Sequence, residues 1–458
     1  MEGAQNYSLR QRVLKAGAWS LVGYAFSSVF RLASNLIMTR ELAPDMFGLM
    51  AIASMVFVGL ALFSDLGLQP SVVQSKRGDE PQFLNTAWSI QILRGLVLGC
   101  AAIIIGVVLS LAGSFDLFPS GSVYANPDLP LVIAVLSLTT IIAGFESTKS
   151  LQASRNLLIV KVTRIEIISQ LTGFAVMFGW VHVQRSIWAL VAGAIAVTCT
   201  KTVLSHLALP GATNRFQWDS DAVTEIVRLG KWLFLSSVLY FVVSNGDRML
   251  LGAMVDARSL GAYAIAFLIF SSIDQVLSRI IVDVSFPALS EIARDQPAKL
   301  SEAYYKFHTA IAAATYFGAG ILMAAGQGII AVLYDTRYQQ AGWILQILSV
   351  ALLTQPFRVA AQSFLAFGLA RTFSLLNAVR LITLFIAFPI GFAHWGFEGA
   401  VWGVVVSYFS SLPLIWFYSD SLGLLDLRKE LRALPALAAG LLIGELLAHA
   451  LALIPHHD

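Results

Sequence analysis

The sequence predicts an all-α polytopic membrane protein, two parallel six-helix lobes followed by an extra C-terminal helix, and three observations predict it. Only 12% of the 458 residues are charged and 57% are hydrophobic, with a mean hydropathy of +0.75. A soluble domain carries roughly a quarter charged residues. Apolar runs of about 18 residues or more recur along the whole chain, and each is long enough to cross the hydrocarbon core as a helix. The pattern of the first half also returns 213 residues later. In hydrocarbon the backbone must satisfy its own hydrogen bonds, which leaves helices or a closed barrel. The ~10-residue alternating segments of a barrel are absent from the pattern.

Taken in order, the apolar runs of the first half cover 16–38, 45–67, 86–112, 129–151, 165–182 and 186–208. Those of the second half cover 229–254, 260–286, 303–324, 342–366, 374–394 and 397–418, and a thirteenth spans 432–454. The N-lobe is expected over residues 1–212, a polar linker over 213–228, the C-lobe over 229–425 and the extra helix over 426–458. The polar start MEGAQNYSLRQR runs into a span too long for the core of a cleavable signal, so the first helix is expected to stay as an anchor. Cys100 and Cys199 both fall inside apolar runs and read as packing residues, not as a disulfide or metal pair.

Charge orients the spans. With the N-terminus cytoplasmic, 21 of the 30 Lys and Arg collect on the cytoplasmic side, and only Arg40, Arg185, Arg258 and Arg337 fall in the opposite loops. The loop from Gly113 to Asp128 holds no Lys or Arg. This is the positive-inside distribution, and the reverse orientation would invert it. The formal net charge of +3 is spread between the spans and forms no patch for nucleic acid.

The repeat carries architecture. Gly17 and Trp19 return as Gly230 and Trp232, and GLMAIA from Gly48 returns as GAYAIA from Gly261, with seven of 38 residues identical and no gap. An even number of spans separates the copies, so both halves enter the membrane from the same side, as in parallel-repeat transporters that work by alternating access.

Charges inside the runs are the candidate functional residues. Arg31, Arg94, Arg248, Arg279 and Arg358 stand within spans, with Asp65, Glu146, Asp247 and Asp274 among the acids. A charge at a helix centre costs on the order of 2.5–3.5 kcal/mol by insertion scales, so residues that cannot snorkel are there for a reason. Arg31, Arg94, Arg358 and Asp274 lie deepest. An arginine-rich interior attracts anions, and the guanidinium fork matches phosphate better than an ammonium does. The plain structural alternative is ion pairing between helices, such as Asp274 with Arg31. Lys201 and Arg380 lie near cytoplasmic ends, where snorkelling accounts for them. Asp274 and Glu146 are candidates for H+ or Na+ coupling, and Asp65 and Asp247 for gating. Pro356, two residues before Arg358 in TQPFR, is either a packing kink or a hinge that aims Arg358. Trp180, Trp188, Trp395, Trp402 and Trp416 cluster near span ends as interfacial anchors. No Walker A motif, catalytic constellation or cofactor signature is present in the sequence, so an enzyme is not expected.

The stretch FSDLGLQPSVVQSK followed by LNTAWSIQILRGL resembles the hallmark region of bacterial polysaccharide flippases of the Wzx type, within the multidrug/oligosaccharidyl-lipid/polysaccharide (MOP) exporter superfamily. NGDRMLLG, SLGAYAIA, FPALSEIARD and IIAVLYDTRYQQAGWILQILS resemble the family's second-lobe segments in the same order, so the resemblance runs from about residue 10 to 425. It implies a two-lobed, mostly 12-to-14-helix fold that moves a lipid-diphosphate-linked oligosaccharide to the periplasmic leaflet of the bacterial inner membrane. It further implies a cationic cavity, with Arg31 and Arg248 as candidates, membrane lipids and polysaccharide polymerase or export machinery as partners, and no cofactor beyond a coupling ion. The thirteenth span departs from the 12-helix form. Gly67 and Pro70 are expected to end the second helix at the cytoplasmic face, with SVVQSKRGDEPQF lying along that face and Asp65 forming a latch. The rival readings are a drug/cation antiporter of the same superfamily, which needs an acid-dominated cavity, a peptidoglycan-precursor flippase, and a membrane scaffold that transports nothing.

Overall fold

The structure, a computed structural model, describes residues 9–453 apart from 65–67, 76, 120, 157, 282–284, 286–288, 290–291, 293–298 and 367–368. Its contacts divide the chain into two compact units, Met1–Leu42 with Leu49–Phe241 and Ala43–Gly48 with Val242–Asp458. The first contains α1 (Leu9–Glu41), most of α2 (Pro44–Phe63), the short α3 (Leu68–Gln74), α4 (Pro81–Ser114), α5 (Leu129–Gly144), α6 (Lys149–Arg155), α7 (Ile159–Val183) and α8 (Trp188–Leu207). Helix α9 (Ser220–Met254) begins in the first unit and ends in the second. There follow α10 (Ala257–Ile280), α11 (Leu300–Leu333), α12 (Gln340–Val350), a 3₁₀ segment (Ala351–Phe357) and α13 (Arg358–Ala366). The second unit ends with α14 (Ala370–Phe409), α15 (Leu412–Ser421), α16 (Leu427–Glu430) and α17 (Leu434–Ala452).

The described residues of the thirteen apolar runs are mostly helical. Among the described residues nine helices are long and apolar enough to span a membrane, and the bent pair α5–α6 makes a tenth. Helices α1 and α9, with 33 and 35 residues, hold the first and seventh runs. The stretch Ser374–Ser421 is 48 residues long, more than twice what one crossing needs. It holds two runs because the chain turns at Gly396, where φ is 61° and ψ −145°. Without a Cβ, glycine adopts such a backbone at little cost. The arms on either side then touch through glycine: a Cβ on Gly391 would strike the carbonyl oxygen of Gly399, and the reverse holds as well.

The 213-residue repeat extends to helix boundaries. Helix α1 ends at Glu41 and α9 at Met254; α2 begins at Pro44 and α10 at Ala257. Each pair differs by the same shift. The repeated glycines also touch one another: a Cβ on Gly48 would collide with the carbonyl of Ala257, and one on Gly261 with the carbonyl of Pro44. Ala257 and Pro44 are themselves repeat partners, so the contact is reciprocal, and the small residue recurs because the backbones approach closely there.

The sequence expectation differs from the structure at the end of the second helix. Helix α2 stops at Phe63, and Pro70 lies in the first turn of α3, a position that lacks an intrahelical N–H partner in any helix and so tolerates proline. Gly67 lies outside the described residues. Arg155 fixes the segment that follows: its Nη1 donates to the carbonyls of Val72 and Ser75, both at 2.7 Å, and its Nε to Asp79 Oδ2 at 3.0 Å.

The fourth run, read as one span, is broken. Helices α5 and α6 meet at 61°, and side chains from α4 and α8 satisfy the freed backbone groups. Gln91 Nε2 donates to the carbonyls of Ala143, Gly144 and Glu146, Ser147 N donates to Ser205 Oγ at 2.9 Å, and His206 Nε2 lies 2.8 Å from the carbonyl of Phe145. Irregular backbone at membrane depth persists where protein groups replace the missing helical bonds.

Between α8 and α9 the linker runs along α4. Asn85 Nδ2 donates to Gln217 Oε1 at 3.1 Å, Gln217 N to Ser89 Oγ at 3.1 Å and Asp219 N to Thr86 Oγ1 at 3.1 Å. Arg77 joins Asp219 at 2.7 Å and Glu80 at 2.9 Å. The hydrogen bond from Arg77 holds the Asp219 carboxyl below the usual carboxylate range.

Helix α17, the extra element, packs along α11 through small residues. A Cβ on Gly320 would stand 2.7 Å from the Leu437 carbonyl oxygen, one on Gly440 would collide with that of Phe317, and one on Gly444 would stand 2.8 Å from Ala324 Cβ.

Candidate functional site

In the first unit, Arg94 and Glu146 are engaged by groups of the same unit. Arg94 on α4 donates from Nη2 to the carbonyl of Ala61 at 2.7 Å and from Nε to Ser64 Oγ at 2.9 Å. The guanidinium thus supplies donors to the carbonyl end of α2, where a cation is favoured. Glu146 lies in the α5–α6 break and pairs with Lys201 Nζ at 3.3 Å; the lysine, explained from sequence by snorkelling, has a specific partner. Arg31 stands exposed on α1. Asp65 lies outside the described residues, as does the side chain of Arg279.

A cluster forms in the second unit, where α9, α10, the 3₁₀ segment and α14 bring together residues 160 positions apart. The 3₁₀ segment runs for seven residues, Ala351 to Phe357, longer than the usual three or four. Pro356, which has no N–H to donate, sits inside it. The run resumes as α-helix at Arg358, and Arg358 Nη1 has three acceptors: Ser278 Oγ at 2.7 Å, Gln355 Oε1 at 3.1 Å and Asp274 Oδ1 at 3.2 Å. Gln355 Nε2 also donates to Asp274 Oδ1. Within the second unit, Asp274 has Arg358 as its ion-pair partner.

All of these bonds use one guanidinium nitrogen. Nε and Nη2 of Arg358 make no bond to another described residue, and the side chain is 41% exposed. Guanidinium donors form a rigid planar fork, so one corner is anchored and the Nε–Nη2 edge is open. That edge has the spacing for two parallel bonds to an oxyanion.

Two further arginines are held with similar slack. Arg248 donates from Nη1 to Asn245 Oδ1 at 3.1 Å and lies over the Phe267 ring, 4.3 Å from its centroid. Arg380 lies over the Tyr408 ring at 3.7 Å. A cation on a ring face keeps its in-plane N–H donors available. The Tyr408 hydroxyl sits in the field of Arg380, Asp274, Asp247 and Arg358 together. Asp247 is buried and accepts a bond from Tyr263 OH at 2.5 Å. Among the described residues the cluster holds three guanidinium groups and two carboxylates.

Of the residues singled out from sequence, Arg248, Asp247, Asp274, Pro356 and Arg358 lie in this cluster. Gln355, Ser278, Tyr263 and Tyr408 were missed, and Arg380, assigned from sequence to snorkelling, lies over the Tyr408 ring. Gln355 is legible in retrospect as the polar neighbour of Pro356 in TQPFR. The two tyrosines carry no sequence signal that separates them from membrane aromatics.

Residues 37–341 match the family model described as polysaccharide biosynthesis protein. The chain is 22% identical over 349 residues to lipopolysaccharide biosynthesis protein WzxC of Escherichia coli strain K12, covering 75% of this chain and 67% of that one; it spans 58% of the length of two further relatives. Its fold is similar to that of the lipid II flippase MurJ in an inward closed conformation, with a TM-score of 0.69 over 95% of this chain and 98% of that one at 12% identity. A multidrug resistance transporter of the MATE family in an inward-facing conformation is similar at a TM-score of 0.57 over 93% and 95% of the two chains, at 17% identity. The chain shares its fold with these two transporters, and it belongs to the polysaccharide biosynthesis protein family.

Proposed function

We propose that this protein is a flippase that carries undecaprenyl-diphosphate-linked oligosaccharide units from the cytoplasmic to the periplasmic leaflet of the bacterial inner membrane, for exopolysaccharide, capsule or O-antigen assembly. Its energy comes from a coupling ion, H+ or Na+, and its cycle is alternating access. The observation that carries this reading is the open Nε–Nη2 edge of Arg358, with Arg248 and Arg380 presenting further unengaged donors in the same unit. A diphosphate is the part of the cargo that hydrocarbon rejects, while a polyprenyl tail is at home in lipid. The chain therefore has to supply donors to the phosphates and can leave the tail to the bilayer. An acid-dominated cation antiporter would invert this charge balance.

The test is deletion of the gene followed by analysis of the membrane lipids. Lipid-linked oligosaccharide should accumulate and the surface polymer should disappear, both restored by the intact gene. Normal polymer with no accumulated lipid would overturn the reading, and loss of viability through failed peptidoglycan assembly would replace it with a peptidoglycan-precursor flippase.

A further inference from the structure

Behind the arginine cluster lies a second ionisable site that none of the preceding chemistry uses. His308 on α11 is fully buried, with 1% of its side chain exposed, and Glu430 at the end of α16 shows 9%. His308 Nε2 and Glu430 Oε2 stand 3.0 Å apart, within ion-pair distance but out of line for a hydrogen bond, and His308 Nδ1 has no partner. Buried polar atoms left unmatched are rare, because each forfeits its hydration without replacement.

The surroundings are largely aromatic. Tyr304, Tyr305 and Phe357 ring the imidazole at centroid distances of 5.5, 5.8 and 5.4 Å. Tyr305 OH donates to Glu430 Oε1 at 3.1 Å and accepts from Asp426 N at 2.6 Å. The titratable or charged groups facing the pair among the described residues are Tyr304, Tyr305 and Tyr316 from α11, and Asp426 and Lys429 from the C-terminal segment. Asp426 and Lys429 pair with each other at 3.3 Å. The 3₁₀ segment contributes the uncharged ring of Phe357, the residue immediately before Arg358. With one proton the pair is His⁺ and Glu⁻ and carries no net charge.

We propose that His308 and Glu430 form the proton-carrying pair of the transport cycle, acting on the Arg358 fork through Phe357 and the 3₁₀ segment. This rests on the flippase reading and refines it: the coupling ion is a proton, and its carrier is this pair in place of Asp274 or Glu146. Losing the proton loosens α16 from α11, frees Phe357 and allows the segment bearing Gln355 and Arg358 to rearrange; regaining it restores the contact.

Purified full-length protein in liposomes, given a fluorescent polyprenyl-diphosphate oligosaccharide and a pH gradient, tests the proposal. Wild type should flip faster with the gradient and move protons in step. His308→Gln and Glu430→Gln should flip at the rate seen without a gradient and move no protons. A variant still driven by the gradient overturns the proposal, as does a wild type that flips without responding to it. A second measurement is independent of transport: labelling of Glu430 by a carbodiimide that attacks protonated carboxyls, read by mass spectrometry in folded, detergent-solubilised protein. His308→Gln should raise it, because the glutamate must then keep its own proton, and unchanged labelling overturns the proposal. Should the labelling rise while wild type flips no probe, the pair stands as a proton site and the flippase reading falls.

Discussion

At the scale of residues, the question for each intramembrane charge is whether its hydrogen-bonding capacity is already used. Arg94 is engaged at the end of α2 through two of its nitrogens, whereas the described bonds of Arg358 all pass through Nη1. Replacing Arg358 by Ala is therefore expected to abolish flipping in reconstituted liposomes. Arg358→Lys should leave a residual rate well below wild type, since an ammonium keeps the charge but cannot offer a planar pair of donors. Asp219 gives a prediction in pH. Its folded pKa is depressed by the hydrogen bond from Arg77, so the clip is intact above the ordinary carboxylate value of about 3.9 and is lost as pH falls through the lower folded value. Protease cleavage within the linker, residues 208–219, should rise only in that acidic range for wild type and at every pH for Arg77→Ala.

Among elements, glycine decides the close approaches and proline the breaks. Helix α17 lies against α11 because Gly320, Gly440 and Gly444 let carbonyls and Cα atoms into van der Waals range. In lipid this packing is a main source of helix association, since tails are as apolar as leucine. Gly440→Leu is expected to cost about 1–3 kcal/mol by overpacking, lowering the melting temperature in detergent, whereas Leu442→Ala, on the exposed side of the same helix, should leave it nearly unchanged. The 3₁₀ segment shows how far sequence reading reaches: Pro356 marked the break, but not that seven residues would adopt the tighter helix, which depends on the burial of nearly every one of them.

On the scale of the whole molecule, the distribution of Lys and Arg makes an orientation testable. With Cys100 and Cys199, both free thiols, replaced by Ser, single cysteines report sidedness. One in the lysine- and arginine-free loop Gly113–Asp128 should react with an impermeant maleimide on intact spheroplasts, and one in the linker at 208–219 only after permeabilisation. The opposite result would reverse the assigned topology and, with it, the direction of transport.

Hydropathy alone marked this chain as an all-α polytopic membrane protein, because hydrocarbon penalises every exposed backbone dipole and the apolar runs are read directly as length. The internal shift of 213 residues was equally legible, and the matching starts of α2 and α10 carry it into three dimensions. Which charges meet was decided only by the tertiary structure. Asp274 finds Arg358, Glu146 finds Lys201, and Arg380 rests on Tyr408. Depth along a helix is set by residue count, but the direction of a side chain around its axis, and the neighbour it faces, follow from packing between segments far apart in sequence. The same holds for His308 and Glu430, 122 positions apart, whose pairing exists only because α17 and its leading turn fold back onto α11.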